Sequence, residues 1–160
     1  SSDLYTGMEG SIAATQWDSP TSLSWRYLPV TPPYRTDIGG SDEEAEAILK
    51  DDKAPRIKHY DAAMQIALNR RKNVPIPTAA LHMGNLCMAF LPGEPMLDYQ
   101  LFAQGLRPDA CVAVAGYGDG ATGYICLEKS YAEGGYEPTA SNLAPQAEHT
   151  FREAIRRLVL

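Results

Sequence analysis

A glycine-rich loop at residues 116–123 is the segment whose composition most strongly suggests chemistry. It reads Gly-Tyr-Gly-Asp-Gly-Ala-Thr-Gly and follows a short apolar run. Glycines let backbone N–H groups approach an anion closely, which favours phosphate binding. However, no Gly-Lys-Ser/Thr follows and no clean G-x-G-x-x-G opens a helix, so both common nucleotide-binding loops are disfavoured. Two interpretations of this loop stay open: a functional loop at the end of a buried strand, and a purely structural turn.

The common motifs of hydrolytic enzymes are missing from the sequence. There is no G-x-S-x-G elbow, and His59, His82 and His149 lack helical metal-ligand spacing such as H-E-x-x-H. The three cysteines form no CxxC pair, so a disulfide scaffold is not expected. Cys87 and Cys111 lie in apolar runs and are predicted to be buried free thiols on central strands. The residues by themselves therefore define no complete active site.

Composition excludes several classes of protein. The chain has 160 residues, 44% of them hydrophobic, which predicts one globular domain or a large piece of one. The net charge of −6 argues against a nucleic-acid partner. No apolar run approaches the roughly 18 residues that a transmembrane helix needs, so no transmembrane segment is predicted. A basic block at 53–72 is interpreted as a solvated helix face or, alternatively, a surface that meets an anion or a partner.

Strand patterns occur in three places along the chain. Leu23, Trp25 and Tyr27 alternate with polar residues, and the prolines that follow indicate an edge strand. Residues 76–91 read as two strands around a Gly84-Asn85 turn, which predicts a hairpin. The continuous apolar run at 110–115 is typical of a buried strand.

Helical patterns separate these strands. After Gly39-Gly40, the sequence Ser41-Asp-Glu-Glu44 has the form of a capping box and opens a helical excursion over about 41–72. On its second helix, Tyr60 and Met64 belong to an apolar stripe and are predicted to be core residues. Further helices are predicted within 3–16, 96–106 and 144–160. Strands and helices thus alternate, which predicts an α/β fold with a layered mixed sheet flanked by helices.

Several segments together resemble one known family, the neutral/alkaline (non-lysosomal) ceramidases, and most of all its divergent bacterial members. The matching segments are residues 91–94, 99–104, 112–119, 123–125 and 131–137. The resemblance is specific from Ile76 to Leu160 and looser before that. It implies that residues 1–160 form the C-terminal part of a ceramidase-like catalytic domain, an incomplete half of a larger domain.

The resemblance also implies a chemistry. Enzymes of the family cleave the amide of ceramide-type lipids and hold one zinc with two histidines, a glutamate and a tyrosine. The glutamate role falls on Glu94, just after a strand, and the tyrosine role on Tyr124, with Tyr131 and Tyr136 at the family's spacing. Oxygen ligands of both kinds suit zinc. Alternatively, Glu94 is not a ligand but a carboxylate at the start of a helix, where the helix dipole stabilises it, and Tyr124 only packs against its loop.

The remaining implications concern what the chain lacks. The two histidine ligands are expected from a missing N-terminal half of the domain or from a separate partner chain, so that the zinc is shared and this chain alone is inactive. Tyr117 and Asp119 are candidates for contacting a lipid-like amide substrate or ordering the ligands. The resemblance suggests a secreted, periplasmic or membrane-surface location. The alternative function is a non-catalytic binding or assembly subunit that keeps the fold.

Overall fold

A computed structural model describes residues 2–17, 19–37, 41–120 and 122–160. Gly39 and Gly40, and Ala121 of the glycine-rich loop, lie outside the described residues. The described helices are α1 (Ser2–Ala13), α2 (Asp42–Lys50), α3 (Arg56–Arg71), α4 (Leu97–Leu106), α5 (Glu128–Glu133), α6 (Tyr136–Thr139) and α7 (Ala147–Val159). The strands are β1 (Leu23–Val30), β2 (Ile76–Met83), β3 (Leu86–Phe90), β4 (Glu94–Pro95), β5 (Cys111–Ala115) and β6 (Tyr124–Ile125).

The larger sheet is mixed and has four strands in the order β1-β2-β3-β5. β1 pairs antiparallel with β2, and the predicted hairpin joins β2 to β3 through Gly84, whose φ of 56° fits a tight turn. β3 and β5 run parallel and are connected through α4. The Gln100 side chain on α4 bonds to Val112 O and Val114 N at 2.8 and 2.6 Å, so it satisfies backbone groups of β5.

One face of this sheet carries the main core because α4 and α7 pack there. On α7, the helical spacing of Phe151, Ile155 and Leu158 places them on one side of the helix, and all three are almost fully buried. Burying each such side chain contributes roughly 1.5–3 kcal/mol. The Leu158 carbonyl at the end of α7 accepts bonds from Arg26 on β1 and contacts His82 on β2, at 3.1 and 2.8 Å. These bonds fix the helix end against the sheet.

The opposite face of the sheet is open at β1. Leu23, Trp25 and Tyr27 alternate onto this side and are 71%, 58% and 61% exposed. Trp25 packs on Phe90 of β3 with ring centroids 5.5 Å apart. We call Leu23, Trp25, Tyr27 and Phe90 the outer sheet face. The edge-strand prediction for β1 is confirmed. Its apolar residues on this side stay largely exposed, whereas Leu28 and Val30 on the other side pack against the main core.

The prediction for the cysteines is only half right. Cys87 on the central strand β3 is fully buried, but Cys111 is exposed. Cys111 is the first residue of β5, and β5 is an edge strand of the sheet, not a central one. The continuous apolar run at 110–115 therefore overstated how deeply this strand is covered.

Helices α2 and α3 lie between β1 and β2, where the sequence predicts a helical excursion, and α2 opens with the predicted Ser41–Glu44 capping box. They form a small core of their own from Ala45 on α2 and Ala62 and Ile66 on α3. The prediction that Tyr60 and Met64 are core residues is wrong, since they are 61% and 37% exposed. The small partner helix covers the Ala62–Ile66 side of α3 and leaves the larger apolar side chains outside this core.

None of the helices among the described residues is long and apolar enough to cross a bilayer.

Candidate active site

Two very short strands bring Glu94 and Tyr124 side by side. β4 and β6 pair in parallel, and the register places Glu94 opposite Tyr124 and Pro95 opposite Ile125. The pairing is held by Glu94 N–H to Gly123 O at 3.0 Å and Met96 N–H to Ile125 O at 3.2 Å. Two residues 30 positions apart in the sequence are thus direct neighbours across the two strands. Their role as metal ligands stays a prediction.

Glycines at this point allow backbones to meet where side chains could not fit. A Cβ built on Gly93 would overlap the carbonyl oxygen of Gly123 and the Oγ1 of Thr122. Gly123 adopts a φ of +74°, and a Cβ there would lie 2.6 Å from Ala140 O. The glycines therefore serve close backbone packing that sets the position of Glu94. This supports the structural interpretation of the loop's glycines.

Tyr117 adjoins the same carboxylate from the glycine-rich loop. Its backbone N–H donates to Gly93 O at 2.8 Å, and its φ of 59° is the only positive value for a non-glycine among the described residues. Such a conformation is costly for a bulky side chain and often occurs at functional sites. Hydrogen bonding with Glu94 is the main cause that raises the pKa of the Tyr117 phenol.

Tyr124 is half-buried and responds to the same charge. Partial burial, followed by the negative charge of Glu94, raises the pKa of its phenol. The Tyr136 ring packs edge-on against the Tyr124 ring with centroids 5.9 Å apart. The site thus combines one carboxylate with two phenols, all of them oxygen donors suited to a hard or borderline cation or to polar groups of a ligand.

A buried hydroxyl network holds the backbone of Tyr124. The Ser141 hydroxyl donates to Tyr124 O at 2.7 Å. The Tyr131 hydroxyl donates to Leu143 O at 2.6 Å and contacts the Ser141 hydroxyl at 3.1 Å. Three tyrosines carried the resemblance. Tyr124 lies in the site, the Tyr136 ring packs against it, and Tyr131 supports the backbone of the site through Ser141.

The site opens into a cavity of about 470 Å³. Glu94, Tyr117 and Tyr124 form one wall, and Tyr60 and Met64 of α3 form the other. Sequence reasoning assigned the two α3 residues to the core and so missed them, although their spacing on one helix face was visible. Asp119 is exposed and does not line this cavity.

The donor set fits a metal only in part. Within the part of the chain that the structure describes, no three His, Cys, Asp or Glu side chains converge on one point. Glu94 and Tyr124 supply two oxygen donors on adjacent strands, whereas a catalytic zinc site normally uses three protein ligands. The residues present therefore fit part of a zinc site and leave ligands to come from elsewhere.

Comparisons with known proteins support the fold. No protein-family model and no curated protein matches the chain. A solved neutral ceramidase from Pseudomonas aeruginosa matches 92% of this chain at 15% identity with a TM-score of 0.59. The structure of a ceramidase complexed with C2 matches 97% of it at 12% identity with a TM-score of 0.62.

The fold resembles part of these two ceramidase structures. The chain spans only 29% and 32% of the length of these two solved structures, so it corresponds to a fragment of the larger ceramidase fold. The resemblance seen in the sequence is thus confirmed at the level of the fold, as is the mixed α/β architecture. At 15% and 12% identity, the likeness to the ceramidase structures is one of fold.

Proposed function

We propose that the chain is part of a zinc-dependent amide hydrolase of the ceramidase type, to which it contributes two metal ligands and one wall of the site. The observation that supports this most directly is the pairing of Glu94 with Tyr124 on adjacent strands at a cavity wall. In the sequence, these are the two positions onto which the family's oxygen ligands fall. A bound zinc would supply Lewis acidity toward an acyl carbonyl and lower the pKa of a water.

The chain's own residues act by holding and orienting groups. The Glu94 carboxylate offers two acceptor oxygens, and the Tyr117 hydroxyl beside it restricts their orientation. Tyr124 presents its hydroxyl from a backbone fixed by Ser141. Asp119 lies exposed on the same loop, from which we propose that it meets only substrate groups that extend out of the cavity.

The proposal requires a second polypeptide part. The histidine ligands would come from the N-terminal half of the same domain or from a separate chain. The outer sheet face, with Trp25 and Tyr27 exposed, is the surface that such a part would cover. The substrate would be a lipid-like amide of the N-acyl-sphingosine type, and the location outside the cytosol or at a membrane surface follows only from the resemblance.

Zinc binding tests the ligand roles. We would titrate zinc by calorimetry into the purified protein, and into any complex in which it is isolated, for the wild type, Glu94→Gln, Tyr124→Phe and the remote control Glu153→Gln. We expect weak binding by the isolated chain, stoichiometric binding by the complete assembly, and more than about tenfold weaker binding in the two site variants. Unchanged zinc affinity in Glu94→Gln refutes its ligand role.

Two other outcomes distinguish the alternatives. A stable monomer that binds one zinc tightly by itself overturns the shared site. An assembly that contains the histidine-bearing part but no zinc identifies a non-catalytic binding or assembly subunit.

A further inference from the structure

A second and larger cavity adjoins the candidate site. It has a volume of about 1120 Å³ and lies between helices α2 and α3 on one side and residues 136–142 on the other. Four residues line both this cavity and the one of about 470 Å³ at the site: Tyr60, Met64, Ala140 and Asn142. A ligand whose reacting group lies at Glu94 can therefore extend into the larger cavity, which we call the hairpin groove.

Polar and charged side chains line much of the hairpin groove. Four of them come from the two helices and one from the facing segment: Glu44, Lys58, Asp61, Gln65 and Asn142. Neither Lys58 nor Asp61 belongs to any of the ion pairs among the described residues. Glu44 uses one carboxylate oxygen in its capping box and keeps the other for a ligand. These groups offer donors and acceptors, whereas a hydrocarbon chain would leave them without partners.

Two exposed tyrosine rings stand in the same groove. Tyr60 lies on α3 and Tyr136 begins α6, and their side chains are 61% and 68% exposed. The face of an aromatic ring carries partial negative charge, so it attracts the weakly positive C–H groups of a sugar ring. The apolar lining of the helices consists mainly of small alanines, with Ile48 and Leu68 as the larger side chains. The groove therefore has room for a bulky ring between its polar groups.

Carboxylates, an ammonium group, amides and aromatic rings in one open groove suit a sugar. The hydroxyl groups of a sugar both donate and accept, so they can bond to Asp61 and to Lys58 at once, and bonds to charged partners are strong. The volume exceeds the roughly 300–1,000 Å³ of a pocket for a drug-sized ligand, so more than one sugar unit fits. Glu44 and Asp61 outweigh Lys58 by one negative charge, which favours a neutral or amino sugar over an acidic one.

We propose that the hairpin groove binds a sugar head group carried by the amine half of the amide substrate. The inference deepens the proposed function and rests on it for the position of the scissile amide beside Glu94 and Tyr124. The substrate class is then a glycosylated amide, and Lys58, Asp61 and Tyr60 are specificity-determining residues. A site built to hydrogen-bond a polar group discriminates against substrates without that group, because its own polar side chains are then left unpaired.

Sugar binding without zinc tests the groove. We would titrate methyl glucoside, methyl lactoside and methyl glucuronide into the purified chain in EDTA and follow isotope-labelled tyrosine by NMR, assigned with Tyr60→Phe and Tyr136→Phe. The two neutral sugars should shift the Tyr60 and Tyr136 signals. The disaccharide should bind about fivefold more tightly than the monosaccharide, since one further hydrogen bond contributes about that factor. The glucuronide should bind more weakly than the glucoside. Unshifted signals with both neutral sugars overturn the proposal.

Matched variants locate the bound sugar. Asp61→Asn should weaken the binding of methyl lactoside about tenfold, because bonds to a charged acceptor are lost. Tyr60→Ala should weaken it about fivefold, whereas Tyr60→Phe keeps the ring and most of the affinity. The controls are Asp52→Asn, at an exposed carboxylate outside the groove, and Tyr27→Ala, at a tyrosine of the outer sheet face that is also 61% exposed. Both should bind like the wild type. If Asp61→Asn or Tyr60→Ala behaves like its control, the assignment of the groove is wrong.

An amide-bearing probe tests whether the sugar belongs to the substrate. N-acetylaminoethyl glucoside should shift the signal of Tyr117, which lines the site cavity, together with that of Tyr60. Methyl glucoside should leave Tyr117 unchanged. An unshifted Tyr117 with the amide-bearing probe overturns the proposal, because the groove then does not serve the site. Glu94→Gln should lose zinc affinity but keep sugar affinity, so a wrong ligand assignment and a wrong groove assignment give different results.

Discussion

Helices α3 and α7 both carry an apolar stripe, although the apolar residues of α7 are far more strictly confined to one side, and the two helices differ in what covers them. Both carry apolar residues at helical spacing, yet Phe151 and Ile155 of α7 are fully buried whereas Tyr60 of α3 is 61% exposed. α7 packs against three strands of the sheet, while α3 has α2 as its main partner. Helical periodicity therefore tells which residues share a face, but the size of the neighbouring element decides whether that face becomes core.

The largest expected effect is a difference in stability between equivalent truncations on the two helices. Phe151→Ala should lower the free energy of unfolding by about 3–5 kcal/mol because it leaves a cavity in the main core. Met64→Ala should lower it by less than about 1 kcal/mol because its side chain is partly solvated already. Urea denaturation of both variants measures the two values. Similar losses would mean that α3 is covered in the purified protein.

The next effect concerns the backbone contact that places Glu94. Gly93→Ala should cost about 2–3 kcal/mol, because its Cβ would meet the backbone of Gly123 and must push β4 from β6. The control is Gly105→Ala in α4, where a Cβ meets nothing within 4 Å. That variant should gain about 0.5–1 kcal/mol from helix propensity. Thermal unfolding of both variants tests this, and equal behaviour would contradict the close packing at Gly93.

A smaller loss of stability is expected for a truncation on the outer sheet face. Trp25→Ala should cost about 1 kcal/mol, because the ring packs on Phe90 but faces no second layer. Trp17→Ala, at a side chain 95% exposed, should change stability by less than about 0.5 kcal/mol. If a partner covers the outer sheet face, Trp25→Ala should also weaken assembly in sedimentation, whereas Trp17→Ala should not. A loss like that of Phe151→Ala would show that this face is core.

Much of the fold could be predicted from the sequence, because long periodic segments carry it. The alternation of Leu23 and Trp25, the Gly84-Asn85 turn and the Ser41 capping box each predicted an element that the structure contains. β4 and β6 could not be predicted, since two residues have no detectable period. The exposure of Cys111 depends on the order of strands in the sheet, which no local pattern encodes.

The site was less predictable than the fold. Glu94 and Tyr124 were found only through resemblance, because they lie 30 positions apart in the sequence and no local pattern shows their pairing. Tyr60 and Met64 were seen but assigned to the core, since the sequence does not show that α2 is too small to cover them. The contact of Tyr117 with Glu94 depends on a positive φ that its residue type does not suggest.

The smallest expected effect is a change in the ionisation of two phenols, and it tests the site geometry directly. Hydrogen bonding with Glu94 is the main cause of the raised pKa of Tyr117. For Tyr124, partial burial of the phenol is the main cause of the raised pKa, and the negative charge of Glu94 is the second. Glu94→Gln should therefore lower both pKa values toward the ordinary tyrosine value of about 10. NMR of isotope-labelled tyrosine, assigned with Tyr117→Phe and Tyr124→Phe, follows each phenol separately among the nine tyrosines.

The sign of the accompanying stability change follows from linkage. A phenol whose pKa is higher in the folded than in the unfolded chain stabilises the fold fully below pH about 10, and this contribution is lost as the pH rises further. In Glu94→Gln this alkaline loss should be smaller than in the wild type. The remote control Glu153→Gln should leave both phenols and the alkaline profile unchanged. If the pKa of Tyr117 does not move in Glu94→Gln, the carboxylate and the phenol are not in contact, and Tyr117 is not part of the site that Glu94 and Tyr124 form.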